Sequence, residues 1–448
     1  MHGQGEAHAA QVIFGWDPLW FAGILFVITY ALIMSEKINR AIVATSAAAI
    51  MVLAGVITEQ KAVHGVDFNT IGLLTGMMII VAITRRSGVF QYLAVWAAKK
   101  VDARPWGILV MLVVVTALLS ALLDNVTTVL LIAPVTLLIT EALGVKAYPY
   151  LFAEILASNI GGSATLIGDP PNIMIGSAVG LSFNDFIVHL APAAVIVMLA
   201  TMVPIYLIWG RHLKASDESR QRVMNYKERD AISDPVLLVK SLSVLALVIL
   251  GFALAHFIGK QPSTIALSGA ALLLLLDNLG RKSSKQTEQV HATFCEVEWV
   301  TIFFFIGLFV VVHGLESTGL LTMLAEEILN LTGGDMSVTA MAILWGSAIA
   351  SAVVDNIPFV ATTIPLIKSM APTFGGAEAL MPLWWSLALG ACLGGNGSLV
   401  GASANLIVAG FAERARQPIG FMAFTLAAFP LMLFSILISS VYIYLRYL

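Results

Sequence analysis

Ser158-Asn-Ile-Gly-Gly-Ser-Ala-Thr-Leu-Ile-Gly-Asp-Pro-Pro-Asn172 is a polar, glycine- and proline-bearing stretch inside an otherwise apolar run, Leu151 to Ala178. That run is long enough to cross a bilayer, which takes about 20 apolar residues. Non-helical backbone survives at such depth only where protein or a wet cavity satisfies it. Glycine costs a helix about 1 kcal/mol and proline about 3, so Gly161-Gly162 and Pro170-Pro171 are expected to break the helix from both sides. The N–H groups of the restarting half and the C=O groups of the ending half then face the break with opposite partial charges. The plainer reading of paired glycines is close helix contact.

The stretch has a second copy. Gly161-Gly162, Gly168 and Asn172 parallel Gly394-Gly395, Gly401 and Asn405 at an offset of 233 residues, within Cys392-Leu-Gly-Gly-Asn-Gly-Ser-Leu-Val-Gly-Ala-Ser-Ala-Asn405. Upstream, Ser120-Ala-Leu-Leu-Asp-Asn-Val-Thr-Thr128 parallels Ser351-Ala-Val-Val-Asp-Asn-Ile-Pro-Phe359 at 231. The same offset joins Asp67-Phe-Asn-Thr-Ile71 to Glu298-Trp-Val-Thr-Ile302, Gly76 to Gly307, Ser87-Gly88 to Thr318-Gly319 and Pro134 to Pro365. The chain therefore divides into a first half, residues 1–210, a connector of mixed charge, 211–235, and a second half, 236–448.

Composition sets the solvent. Hydrophobic residues make up 59% of 448 positions and charged residues 11%, with a mean hydropathy of +0.91. Soluble domains carry about 25% charge, so a soluble globular protein is excluded and the lipid bilayer is the expected surrounding. Two cysteines make neither a disulfide framework nor a zinc site. No metal cofactor and no nucleic-acid partner are expected. Met1 to Asp17 has no Lys or Arg, so it lacks the basic region of a cleavable signal peptide, and the first span is expected to stay as an anchor.

Spans are predicted at Leu19–Met34, Ala41–Ile57, Thr70–Thr84, Leu151–Ala178, Leu190–Gly210, Val236–Ile258, Thr264–Leu276, Trp299–Leu315, Leu383–Ala409 and Phe421–Tyr444. Two further apolar stretches are interrupted at Asp124-Asn125 and Asp355-Asn356. If each of these enters and leaves on one side and the N-terminus is outside, twenty of the 24 Lys and Arg fall inside, as positive charge does in cytoplasmic loops. Only Lys61, Lys260, Lys368 and Arg446 fall outside. The predicted fold is all-α and polytopic: about ten transmembrane helices in the inner (plasma) membrane with both termini outside. Thr70 then starts from outside and Thr301 from inside, which makes the two halves inverted-topology repeats, a pattern of alternating-access carriers.

Four segments place polar groups at membrane depth. Asn125, Thr127, Thr128, Ser163, Thr165 and Asn172, with Asn356, Asn396, Ser398 and Asn405, are the candidate solute-binding donors and acceptors. Asp124 and Asp355 each precede a helix start and fit an N-cap. A carboxylate within the bilayer also costs about 2.5–3.5 kcal/mol on insertion scales and marks proton or ion pathways. Asp169 has no acidic counterpart, since Ala402 takes its place, so it has a task the scaffold does not demand; proton coupling is the expectation. Glu154, about one turn before Ser158, is a candidate proton feed, and Cys392 reads as a packing residue. His256, His313 and Asp277 fall near span ends, where snorkelling accounts for them.

These motifs resemble the ion transporter superfamily, in its arsenite-permease/sodium–proton antiporter branch. Asp124-Asn-Val-Thr-Thr128 with Gly161-Gly-Ser-Ala-Thr-Leu-Ile-Gly-Asp-Pro-Pro-Asn172 is most similar to the subgroup containing the melanosomal P protein. The resemblance implies two re-entrant hairpins tipped by residues 124–128 and 355–359, broken helices at 161–172 and 394–405, homodimers and an elevator-type movement. Dicarboxylate carriers of the superfamily have Ser-Asn-Thr at the tips, where sodium and carboxylate bind; here Asp replaces that Ser in both halves.

A secondary transporter of a small inorganic ion or metalloid is the expected function. No Lys or Arg lies within the four segments, which ranks a sodium-coupled dicarboxylate or other anion last. Arsenite or antimonite, neutral trihydroxides near pH 7, suit a ring of Asn, Ser, Thr and backbone groups, so proton-driven efflux of these is the first expectation. Sodium–proton antiport follows, because sodium wants the oxygen ligands that carboxylates and carbonyls supply. A passive channel and a paired-aspartate intramembrane hydrolase are the competing classes; His-Glu-x-x-His, Gly-x-Gly-Asp and Gly-x-Ser-x-Gly are all absent. H+ or Na+ is the expected coupling ion, and nothing in the sequence indicates a cytoplasmic ATPase partner.

Overall fold

The computed structural model describes residue 12, residues 15–35 and residues 37–448; most of the N-terminal stretch read for a signal region lies outside the described residues. The protein is all-helical, with no strand among the described residues. The main helices are α1 (Pro18–Ser35), α2 (Arg40–Leu53), α3 (Phe68–Arg85), α4 (Val89–Lys100), α5 (Pro105–Leu122), α6 (Asn125–Leu143), α7 (Tyr148–Gly162), α8 (Pro170–Val179) and α9 (Ala191–Ile208). The second half repeats the order with α10 (Pro235–Ile258), α11 (Pro262–Asn278), α12 (Trp299–Ser317), α13 (Leu320–Thr332), α14 (Met336–Val353), α15 (Asn356–Ser369), α16 (Met381–Gly394), α17 (Ser403–Arg414) and α18 (Phe421–Tyr447).

Among the described residues, ten helices are long and apolar enough to cross a membrane, but they are not the ten predicted spans. Three of them, α5, α6 and α14, are arms of the two interrupted stretches. Conversely, α2 and α11 are only 14 and 17 residues long, and two predicted spans are each built from a pair of shorter helices, α7 with α8 and α16 with α17. Length and hydropathy do not distinguish a hairpin arm from a full crossing; the polar tip between arms does.

The halves interlock rather than sit side by side. α2 packs along α12 and α11 packs along α3, so each half lends a helix to the other. Glycines allow the approach: a Cβ on Gly307 would lie 2.6 Å from the Ala44 carbonyl carbon, and one on Gly76 would lie 2.7 Å from that of Ala266. Within each half, the first hairpin arm lies along the broken helix, α5 on α7 and α14 on α16.

The connector is partly helical, at Asp217–Met224, and Lys99 Nζ reaches Glu228 at 2.5 Å. That ammonium group holds the Glu228 carboxyl below the usual carboxylate range. Asp277 corrects the snorkelling expectation. It is buried and its two oxygens meet Arg86 at 2.6 Å and Arg281 at 3.1 Å, tying α11 to the end of α3.

Candidate functional site

Each break begins at its glycine pair. α7 runs through Gly161-Gly162 and ends there; residues 163–169 leave the helix, and Pro170 restarts it as α8. The glycines also serve contact. A Cβ on Gly161 would stand 2.4 Å from the Ala117 carbonyl oxygen, and one on Gly394 would stand 2.6 Å from that of Ala348. These alanines are themselves 231 residues apart, so the plainer reading of the glycine pairs describes both halves.

The polar groups of the two breaks mostly fasten backbone. Ser120 Oγ donates to Ser158 O at 2.6 Å and Ser351 Oγ to Ala391 O at 2.7 Å. Thr165 Oγ1 donates to Ala121 O at 2.5 Å and Ser398 Oγ to Ala352 O at 2.6 Å. Asn172 Nδ2 donates to Thr165 O at 2.9 Å and Ser163 O at 3.2 Å, while Asn405 Nδ2 donates to Gly395 O at 2.7 Å and Ser398 O at 2.8 Å. Ser163 Oγ donates to Ile160 O at 2.7 Å. Ser163, Thr165, Asn172, Ser398 and Asn405, expected to bind solute, thus spend their donors on carbonyls of the breaks and of the helix ends beside them, as buried C=O groups require.

A chain of carboxamides crosses between the halves. Asn159 Nδ2 donates to Asn396 Oδ1 at 2.9 Å and to Asn405 Oδ1 at 3.1 Å, and Asn159 Oδ1 accepts from Asn125 Nδ2 at 3.1 Å. Asn125 Nδ2 also lies 3.2 Å from Asp169 Oδ1, and Asn356 Nδ2 lies 3.3 Å from Asp169 Oδ2. Asp169 is fully buried. It is the N-cap residue of α8, yet its side chain makes no capping bond, and its partners among the described residues are the two tip asparagines. Asn125, Asn356 and Asp169 are therefore brought together, with both hairpin tips reaching the one carboxyl.

Asp124 and Asp355 diverge. Asp124 accepts from Thr127 N at 2.8 Å and Thr127 Oγ1 at 2.5 Å, which closes it on its own helix. Thr127 is correspondingly occupied, while the Thr128 hydroxyl is buried without a partner. In the second half Pro358 stands at the Thr127 position and has neither N–H nor hydroxyl. Asp355 caps α15 through Ile357 N at 3.1 Å, and its other oxygen accepts from Arg40 Nη1 at 2.7 Å and Ser403 Oγ at 2.8 Å. Arg40 also donates to Ser403 at 2.6 Å and Thr301 at 3.3 Å and lies over the Phe304 ring at 5.0 Å.

Arg40, Asn159 and Glu298 went unassigned in the sequence reading. Arg40 opens α2 and is 315 residues from Asp355, so the absence of cations within the four segments did not make the site free of them. Asn159 lay in the quoted stretch, but its counterpart at 233 is Cys392, which breaks the asparagine pattern. The Cys392 thiol itself donates to Asn172 Oδ1 at 3.5 Å. Glu154 is buried, with one oxygen on the Thr136 hydroxyl and the other unpaired.

These groups surround a central cavity of about 20 Å³, lined by Arg40, Asp124, Asn125, Asp169, Glu298, Thr301, Asn356 and Ser403 among others. A cavity of that size holds roughly one water-sized species. Two larger spaces adjoin it: one of about 450 Å³ shares Met78, Thr127 and Glu298 with it, and one of about 300 Å³ shares Arg40 and Ser403. A further pocket of about 310 Å³, near Asn69 and Lys260, shares no lining residue with it. His, Cys, Asp and Glu form no group of three able to hold a metal among the described residues.

Residues 30–390 match a protein family described as Citrate transporter. An uncharacterized transporter of Mycobacterium tuberculosis is 44% identical over 427 residues, covering 94% of this chain and 97% of that protein. Human P protein is 33% identical over 495 residues, covering 92% of this chain and 58% of P protein. The crystal structure of the YdaH transporter of Alcanivorax borkumensis, described as having an unusual topology, superposes with a TM-score of 0.57 at 15% identity, covering 96% of this chain and 98% of that one. That likeness carries the fold alone. The mycobacterial relative, the matched family and the superposed structure are each named as a transporter. With ten apolar helices and this family match, the chain is a multi-pass membrane transporter and belongs to the citrate transporter family of the ion transporter superfamily, homologous to P protein.

Proposed function

We propose that this chain is a proton-coupled secondary transporter in which Asp169 carries the proton, and that its solute is a small inorganic cation, with sodium–proton antiport the best-supported form. The observation behind this is the lining of the central cavity. It contains three carboxylates, Asp124, Asp169 and Glu298, and one guanidinium, Arg40, whose charge is already matched by Asp355 outside the lining. Such a cavity suits a proton or a monatomic cation, for which carboxylate and carboxamide oxygens are ligands. An anion the size of citrate would need both a larger space and several cations to offset the charge.

Arsenite or antimonite efflux is the second reading, and Cys392 favours it. Its thiol touches Asn172 beside the carboxamide chain, and trivalent arsenic bonds to sulfur. In either form, alternating access would proceed by movement of the hairpins and broken helices against α2 and α12, in a homodimer of the plasma membrane with both termini outside.

The test is proton flux in proteoliposomes with a pH dye inside and an imposed pH gradient. Sodium chloride is expected to collapse the gradient, while potassium chloride and citrate leave it. A response to arsenite and none to sodium would replace the first reading by the second. A response to citrate alone would overturn both.

A further inference from the structure

We infer that Glu298 forms a cation-selecting neck between the central cavity and the larger space beside it. The comparison that exposes this role is with its counterpart, Asp67. Asp67 caps α3: its Oδ1 accepts from Asn69 N at 3.0 Å and Thr70 N at 3.2 Å, and its Oδ2 accepts from Thr70 Oγ1 at 2.6 Å. Glu298 stands at the same place before α12 and makes no capping bond. Thr301, which matches Thr70, faces Arg40 instead. The extra methylene and the lost threonine partner release the Glu298 carboxyl from its own helix.

The released carboxyl lies where two spaces meet. Met78, Thr127 and Glu298 are the residues that line both the central cavity and the vestibule of about 450 Å³. Thr127 is held by Asp124 and Met78 is apolar, so Glu298 is the one ionisable side chain at the junction. The cations nearby are already matched: Arg85 lies 3.9 Å from Glu296 and Arg40 lies 2.7 Å from Asp355. Glu298 has no side-chain hydrogen bond or ion pair among the described residues, and it is half-buried. Just inside the neck, Asn125 Oδ1 is buried without a partner in the cavity wall, an acceptor oxygen waiting for a cation or a proton donor.

Charge of one sign in a low-dielectric cleft concentrates its counter-ion about tenfold or more. A solute reaching Asp169 by this route passes the Glu298 carboxylate as it enters the central cavity, which favours cations and repels anions. This deepens the cation–proton reading above and rests on it for the identity of the solute, but the neck can be probed without any transport.

The experiment labels cysteines with small methanethiosulfonates of opposite charge, ethylammonium and ethylsulfonate. In a Cys295→Ser background, with Cys392 left in place because it is buried, Met78→Cys reports on the neck. Ala82→Cys, also lining the vestibule, is a second reporter should the first variant fold poorly. The cationic reagent is expected to react about tenfold faster than the anionic one, after correction for their intrinsic rates. Glu298→Gln is expected to cut that ratio about fivefold. A ratio unchanged within twofold by Glu298→Gln overturns the neck, as does a Met78→Cys thiol that neither reagent reaches while Ala82→Cys reacts. Because no flux is measured, failure of sodium to move protons would leave the labelling result standing on its own.

Discussion

Arg40 Nη1 lies 2.7 Å from Asp355 Oδ2, and the contact exists because Pro358 offers Asp355 neither an N–H nor a hydroxyl. In the other half Thr127 supplies both to Asp124 and no arginine is recruited. One substitution at the third residue of a helix thus decides whether a tip carboxylate closes on itself or reaches across to α2. Arg40 is 24% exposed and Asp355 12%, so the pair is partly shielded from water.

Arg40→Gln should therefore lower the apparent melting temperature, at a cost of about 2 kcal/mol. Removing one partner of a fully buried pair costs about 3–5 kcal/mol, and the exposure here reduces it. Asp355→Asn added to Arg40→Gln should recover part of the loss, because no uncompensated charge remains. Thermal unfolding of the purified protein in detergent, with both single variants and the double, measures the coupling.

Asp169→Asn should abolish proton movement while leaving the protein inserted and folded, since the carboxamide has the same shape and Asn125 and Asn356 surround it without a cation. Proton flux with the internal dye, beside size-exclusion behaviour, reads both. Unchanged flux would remove Asp169 from the coupling role.

Asn125→Ala and Asn356→Ala each delete a donor to the buried Asp169. A hydrogen bond to a charged group is worth about 1.5–3 kcal/mol, so each variant should slow transport at least about tenfold. The Asn125 variant is expected to be the more severe, because Asn125 Nδ2 also donates to Asn159 Oδ1. Initial rates in proteoliposomes decide it.

Gly161→Ala and Gly394→Ala should both destabilise, by about 1–3 kcal/mol, as overpacking does. The atoms a Cβ would strike include main-chain oxygens of Ala117 and Ala348. Ala117→Gly should accordingly fail to rescue Gly161→Ala, since trimming a side chain does not move a carbonyl. Melting temperatures of the three variants test this.

A thiol reagent should modify one cysteine per folded chain. Cys295 is exposed and Cys392 buried, so the second thiol should react only after denaturation, as counted by intact-mass measurement.

Much of this was legible in the sequence. Hydropathy located most of the membrane helices, though not α4 or α13, and the matched pairs at 231 and 233 located the tips and breaks, because a repeated polar group at membrane depth has few explanations. Asp169 stood out by its lack of a partner, and the structure places it between Asn125 and Asn356. What sequence could not show was which donors remain free. Asn172 and Asn405 look like site residues, yet a broken helix leaves carbonyls that something must satisfy, and these asparagines do it. Nor could spacing along the chain bring Arg40 to Asp355, or show that Glu298 had lost the threonine that holds Asp67. Those relations depend on helices exchanged between halves, which no local pattern records.

That exchange bears on how the protein is made. When the first half leaves the ribosome, α2 lacks its main packing partner, because α12 begins more than 240 residues later; α3 likewise waits for α11. Neither half is complete until the other has been inserted. Two separately synthesised pieces, cut within the connector, should therefore assemble only together, each closing the groove that the other leaves open. A single ancestral half would have met the same need by trading helices with a second copy of itself.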